Sequence, residues 1–198
     1  MDGRDEHHAH LQGFSMIESE VQIYRAPVGD APALSRLSAA VFPLGCPADT
    51  KPEDLAEFIS KELTPERFRA MIQDESFVIL VVRVTAKLVG YALIARAAAP
   101  SQIRSSATLE LRKFYIDAAY HGRGVADALM KEVLAVIAAN GSRPAIWLTV
   151  FAGNDRAIAF YKRWGFQIAG TQIFTVGADG QKDYLMLREG SSNAKGSL

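Results

Sequence analysis

Residues 111–130 read LRKFYIDAAYHGRGVADALM, and the way this stretch folds decides the rest of the chain. A run with strand character stops at Asp117. A few residues later Gly122-Arg123-Gly124 leads straight into a helical pattern of Val125, Leu129, Val133 and Ile137. Leaving a buried strand through a glycine turn into a helix exposes the first N–H groups of that helix. With the positive end of the helix dipole they make an anion site. Gly122 and Gly124 permit positive φ and close approach of a phosphate to backbone, and Arg123 adds a charged donor. A tight turn that simply needs glycines accounts for the same letters, and on this stretch alone both readings stay open.

The strand before the turn carries a second signal. Leu109 and Leu111 share one face at period two, but Phe114 and Ile116 fall on the other parity. One buried face can continue through that change only with an extra residue, so a β-bulge is expected near Arg112-Lys113. A bulge frees backbone donors and acceptors for a ligand. Two rival phosphate motifs fit poorly. A P-loop needs Lys-Ser/Thr where Val125-Ala126 stand, and the dinucleotide fingerprint needs a small residue where Asp127 stands.

Outward from this centre the elements alternate. ESEVQIYRAP reads as a first strand, and Asp30 can cap a helix through Leu34, Leu37 and Val41. After the loop FPLGCPADTKP come two helices, PEDLAEFISKEL and TPERFRAMI, the second with its cap at Thr64 and Pro65 in its first turn. FVILVVRV and LVGYALIA form a hairpin across Thr85-Ala86-Lys87. The helix after the glycines is expected to end at Asn140-Gly141. AIWLTV, the helix NDRAIAFYKRWG with Gly165 as its stop, and the strands FQIAGTQIFTV and DYLMLRE complete the chain. The pattern is one mixed α/β domain over residues 20–188. The tails, 1–19 and 189–198, are expected to be disordered, and His7, His8 and His10 read as mobile residues rather than metal ligands.

Composition narrows the function. Of 198 residues 49% are hydrophobic and 22% charged, the profile of an ordinary globular domain. Lys+Arg and Asp+Glu number 22 each, so no global field points to nucleic acid or an anionic membrane. Cys46 is the only cysteine, which excludes an intramolecular disulfide and a multi-cysteine metal site; no metal is expected. No apolar stretch would span a bilayer and no signal-peptide pattern opens the chain, so a cytoplasmic protein is expected.

HGRGVADALM resembles the pyrophosphate loop and following helix of the GNAT N-acetyltransferases, whose pattern is Q/R-x-x-G-x-G/A. His121, Gly124 and Ala126 take the three defined positions, with histidine replacing the usual glutamine or arginine. NDRAIAFYKRWGF is similar to the second family signature, N-x-x-A-x-x-x-Y-x-x-x-G-F. DLAEFISKELTPERFRAMIQD and IFTVGADGQKDYLM look like segments of PaiA-type spermidine/spermine N-acetyltransferases, and the likeness covers about Ile23 to Leu187.

The resemblance implies a GNAT (acyl-CoA N-acyltransferase) fold: a mixed, mostly antiparallel sheet, splayed between ELRKFYI and AIWLTV and flanked by helices. It implies acetyl-CoA as co-substrate. The backbone of Phe114, Tyr115 and Ile116 would meet the pantetheine, and His121, Gly122, Arg123, Gly124, Val125, Ala126 and Asp127 the pyrophosphate. Asn154 would contact the coenzyme, and Tyr161, two helical turns on, would donate a proton to the leaving thiolate. Core packing beside Phe160 and Trp164 is the other role open to Tyr161. A general base is less evident, because Thr149 and Phe151 flank Val150 on the strand where some members carry glutamate. Glu110 is the candidate, acting through water, unless it is an ordinary strand carboxylate. Asp49, Glu53, Asp54 and Glu57 could face a cationic acceptor, though a solvated helix face is the plainer interpretation. The acceptor implied is a small primary amine of the polyamine class, and a homodimer is allowed. Alternatives are acetylation of a protein N-terminus or lysine, or an acyl-CoA-binding regulatory module of low turnover.

Overall fold

The computed structural model describes residues 21–104, 109–138, 143–176 and 179–190. In chain order these form β1 (Val21–Arg25), α1 (Ala31–Val41), α2 (Pro52–Glu62), α3 (Pro65–Gln73), β2 (Phe77–Val84), β3 (Lys87–Arg96) and β4 (Leu109–Ile116). Then follow α4 (Val125–Ile137), β5 (Ile146–Phe151), α5 (Asp155–Arg163), β6 (Gln167–Val176) and β7 (Asp179–Arg188). The seven strands make one sheet in the order β1-β2-β3-β4-β5-β7-β6. Every neighbouring pair is antiparallel except β4 and β5.

Helices cover both faces of the sheet centre, which is why β2 and β3 read as almost unbroken apolar runs. Leu80, Val82, Ala92 and Ile94 pack with Val125, Leu129, Met130 and Val133 of α4. Ile79, Val81, Tyr91 and Leu93 turn the other way, against Leu34, Leu37, Leu63 and Phe68 of the α1–α3 region.

The expected bulge is present. Leu93 of β3 pairs with Lys113 and Ile94 with Leu111, so Arg112 is the extra residue. Leu111 and Ile116 consequently join the same core as α4, whereas Tyr115 packs with the α1–α3 cluster. The splay is present too. β4 pairs with β5 only at Leu109–Ile146 and Glu110–Trp147, and beyond Glu110 the two strands part. From Leu111 on, the edge of β4 facing β5 carries backbone groups with no strand partner among the described residues.

Thr64 caps α3, its hydroxyl accepting from the Arg67 N–H at 3.3 Å. Asp30 does not cap α1 with its side chain. It is itself in a helical conformation (φ −82°) at the end of a short 3-10 turn. Its carboxylate instead accepts from Arg83 at 2.6 Å and Tyr24 at 3.1 Å, tying β1, β2 and the start of α1 together. The hairpin turn is shorter than expected, because Lys87 already belongs to β3. β7 begins at Asp179 rather than Asp183, because pairing with β6 extends the hairpin through residues of low strand propensity. The N-terminal histidines, Thr108 and Asn140-Gly141 lie outside the described residues. No described helix is long and apolar enough to cross a membrane.

Gly90 of β3 faces β4 just after the bulge. A Cβ there would lie 2.9 Å from the Tyr115 carbonyl oxygen and would also overlap the Ile116 side chain. Gly90→Ala should therefore cost about 1–3 kcal/mol of stability, read as a lowered urea midpoint at unchanged m-value.

Candidate active site

The gap left by β4 and β5 opens into a cavity of about 1030 Å³. Phe114, Tyr115, Ile116, His121, Gly122, Gly124, Ala126, Asp127, Asn154 and Tyr161 all line it, as does Glu110. Residues chosen from the sequence over a span of more than fifty positions thus meet at one place.

The glycine turn has the geometry of an anion cradle. Gly122 and Gly124 adopt φ of +72° and +78°, with no atom within 4 Å of where a Cβ would stand. Gly124 is the N-cap of α4, and no side chain caps that end, so the first N–H groups face the opening. Such a cradle fits the pyrophosphate of coenzyme A. Val125, in contrast, is 1% exposed and anchors the helix in the core.

Several side chains differ from expectation. Arg123 is exposed, stacks 5.7 Å from the Tyr120 ring and lies outside the cavity wall. The cations that line the cavity are Arg156 and Arg163 of α5, Arg112 and Lys113 of β4, and Arg67 of α3. Arg156 donates to His121 Nδ1, which makes Nε2 the protonated nitrogen and a donor to the Ile116 carbonyl at 2.9 Å. His121 thereby links the end of β4 to the first turn of α5. The Asp127 carboxylate accepts from Arg163 at 3.2 Å and from the Trp164 indole at 3.1 Å. Its side chain therefore fastens α4 to α5, and only its backbone can serve an anion. Asn154 caps α5, accepting from the Ala157 N–H at 3.1 Å. Arginines on α5 could have been suspected from their place in the first and last turns of a helix with a bare companion, but nothing in the linear sequence brings them to the glycines.

Tyr161 sits among Phe114, Phe160 and Phe166 at ring separations of 6.3, 5.5 and 5.7 Å. Both roles considered from the sequence are compatible with this position: the ring is core, and the residue still lines the cavity. Burial, and then nearby Tyr115, push its phenol well above the usual tyrosine range, so the hydroxyl keeps its proton throughout the neutral range. Glu110 is committed on Oε2 to Arg112, at 2.9 Å from Nε and 2.7 Å from the terminal nitrogen.

The α1–α3 side of the cavity was not legible beforehand. Phe42 and Phe58 stack at 4.4 Å, and Phe174 meets Phe58 edge-on at 6.4 Å. Lys113, the residue after the bulge, holds its ammonium 5.8 Å from both stacked rings and 5.9 Å from Tyr115. Burial, then Arg112, lower the lysine's pKa. Asp183 of β7 completes this wall at 5% exposure. The acidic residues Asp49, Glu53, Asp54 and Glu57 do not line the cavity; Glu57 is exposed and paired with Lys61. Among the described residues no group of three or more histidine, cysteine, aspartate or glutamate side chains is placed to hold a metal.

Comparison with known proteins agrees with the geometry. Residues 47–166 match the model of the acetyltransferase (GNAT) family. An uncharacterised N-acetyltransferase of Mycobacterium tuberculosis is 39% identical over 160 residues, covering 81% of this chain and 97% of that protein. A spermine/spermidine N(1)-acetyltransferase of Bacillus subtilis is 30% identical over 87 residues, 44% of this chain and 57% of the other. Among solved structures, the PaiA N-acetyltransferase of Thermoplasma acidophilum in complex with coenzyme A superposes with a TM-score of 0.69 at 16% identity, over 85% of this chain and 98% of that one.

Arg156→Ala should raise the Kd for coenzyme A roughly tenfold or more, as loss of a charged hydrogen bond does. Arg123→Ala should change it by less than about fivefold, because its guanidinium lies on Tyr120 and outside the cavity. Calorimetry with both variants checks the assignment, and equal effects would return the cationic role to Arg123.

Proposed function

The chain belongs to the acetyltransferase (GNAT) family and is an N-acetyltransferase, and from that premise we propose that it acetylates a small primary amine by direct transfer, with polyamines the leading class. One observation carries this: the bare α4 N-terminus, the open edge of β4 and the Tyr161 phenol all border a single cavity.

Acetyl-CoA supplies the acetyl group as an activated thioester. The N–H groups from Gly122 to Asp127 hold the pyrophosphate, with Arg156 beside them. Backbone groups on the open edge of β4 between Phe114 and Ile116 bond to the pantetheine amides, which repeat donor and acceptor much as a peptide does, beside the Ile116 carbonyl that accepts from His121. The same bulged segment offers N–H groups to the oxygen that gains charge during transfer. Tyr161, protonated because it is buried, passes a proton to the departing sulfur. The acceptor arrives as an ammonium, since an alkyl amine has a pKa of about 10.4. A carboxylate must relieve it of a proton, and Glu110 is the one the sequence offers.

Two observations favour a cationic acceptor. Aromatic faces of Phe58 and Phe174 and the Asp183 carboxylate line this wall, groups that attract an ammonium, while burial weakens the opposing charge of Lys113. The partial likeness to a spermine/spermidine acetyltransferase points the same way. Acetylation of protein termini or lysines would use the same chemistry on a longer acceptor.

The deciding assay is coenzyme A thiol release from acetyl-CoA with spermidine, spermine, L-amino acids and short peptides. Saturable release with polyamines is expected. Release with peptides alone would reject the acceptor class but keep the reaction, and binding of coenzyme A without release by any amine would make the chain a regulatory module. Tyr161→Phe should lower turnover about 10²–10⁴-fold at unchanged coenzyme A affinity. The melting temperature should hold, because the ring remains packed.

A further inference from the structure

On the α1–α3 wall of the cavity Lys113, whose ammonium lies against aromatic rings, and Asp183 have no ion-pair partner among the described residues. Asp183 is 5% exposed, and Gln181 Nε2, at 3.0 Å from Oδ1, is the only side-chain donor that reaches its carboxylate among the described residues. A carboxylate buried against a neutral amide is costly unless a cation comes to it. Strand pairing fixes its place: Asp183 lies opposite Phe151 at the end of β5 and opposite Gln172 of β6. It shares the face of β7 that carries Leu185 and Leu187, away from the face of Tyr184 and Met186 that meets α4.

The groups around it come from four directions. Cys46 from the loop after α1 and Tyr115 from β4 lie within electrostatic reach of it, Gln181 of β7 bonds to it, and Lys113 of β4 and Glu62 of α2 line the same cavity. The Cys46 thiol is pushed up by burial and then by Asp183, with Lys113 opposing, so Cys46 lies within reach of both charges and stays neutral. Tyr115 is likewise raised, by burial, then by Cys46 and Asp183. Lys113 sits among Phe42, Phe58 and Tyr115. Lys113 thus covers the rings nearest to it, and the cavity leaves an arriving ammonium the Phe174 ring and a single buried carboxylate, Asp183.

Building on the acetyl-transfer function above, we propose that Asp183 is the acceptor's anchor and general base: it binds the substrate ammonium directly and takes its first proton. The neutral amine then attacks the thioester carbonyl carbon; the C–N bond forms and the C–S bond breaks. Of the two protons lost from nitrogen, one leaves through Asp183 to water, and the other balances the proton that Tyr161 gives to sulfur. Burial raises the Asp183 pKa, with the Gln181 hydrogen bond opposing, and a raised pKa makes a carboxylate a better base. Glu110 is less suited, because its Oε2 is already held by an arginine.

The same burial has a sign that can be checked. An acid whose folded pKa lies above its unfolded one destabilises the fold progressively as pH rises from the ordinary carboxylate range through the raised value. D183N should therefore keep or gain melting temperature at pH 7.5, where loss of a structural ion pair would lower it.

The test compares wild type, D183N and E110Q by thiol release with spermidine, or with whichever amine of the panel the wild type acetylates, from pH 5 to 10. Coenzyme A binding is followed by calorimetry as the control for folding. Wild-type kcat should level off above the Asp183 titration and well below the pKa of the amine. D183N should lose about 10²-fold or more in kcat, bind coenzyme A normally, and rise tenfold per pH unit with the fraction of neutral amine. If the levelling disappears in E110Q and survives in D183N, the role passes to Glu110 and the proposal is overturned. A wild-type profile that climbs without levelling to the pKa of the amine overturns it even if D183N does not fold. Absence of release by the wild type with every amine would overturn the acetylation of amines itself, and the role of Asp183 with it.

Discussion

Arg112 has no partner across β3, and two residues earlier β4 gives up its pairing with β5. Most of what the molecule can do depends on these two interruptions of one strand. A central strand normally has neighbours on both sides and no spare backbone polar groups. Here the bulge bends β4 away, and the unpaired edge becomes the wall of a cavity instead of a defect. Because a bulge adds one residue, it also reverses which side chains point where. Leu111 and Ile116 can both face α4, while Lys113 and Tyr115 face the α1–α3 side.

That reversal divides the cavity chemically. On the α4–α5 side stand backbone N–H groups, Arg156 and Arg163, an environment for anions. On the α1–α3 side stand aromatic rings and a buried carboxylate, an environment for a cation. Tyr161 and the bulged backbone lie between them. The balance of positive and negative charge over the whole chain thus conceals an unevenly charged site, with Lys113 sharing the wall of the buried carboxylate. The links that hold the walls in place are short and specific. Asp127 binds Arg163 and Trp164 across α4 and α5, and His121 joins Ile116 to Arg156.

These links also show how a motif residue can matter in a way its position does not announce. Asp127 and Asn154 both border the cavity, yet the first uses its side chain to fasten two helices and the second to cap one. A carboxylate aimed at a pyrophosphate would repel it, whereas one held by an arginine and an indole leaves the helix N-terminus free for an anion. His121 stands where a longer side chain is usual in similar sequences. With one ring nitrogen donating to a carbonyl and the other accepting from an arginine, it keeps that arginine at the cavity.

Much of this was determined by the sequence alone, because it rests on local rules. The parity change from Leu111 to Phe114 requires a bulge, the glycines at 122 and 124 require positive φ, and the spacing from Asn154 to Tyr161 places both on one helical face. Each is a property of a few consecutive residues. The tertiary structure alone decided which charges meet. Asp30 looked like a helix cap and became the partner of Arg83, which the sequence places 53 positions away. Arg123 adjoins the glycines but leaves the cavity wall to Arg156, and Asp183, on a strand predicted to start at that residue, became a buried carboxylate on the α1–α3 side of the cavity. Side-chain pairing across a sheet depends on strand order and register, which no local pattern encodes, and burial depends on everything that packs above. The sequence could thus specify the cradle and the splayed strand, and only the packed fold could bring a buried carboxylate to line the same cavity.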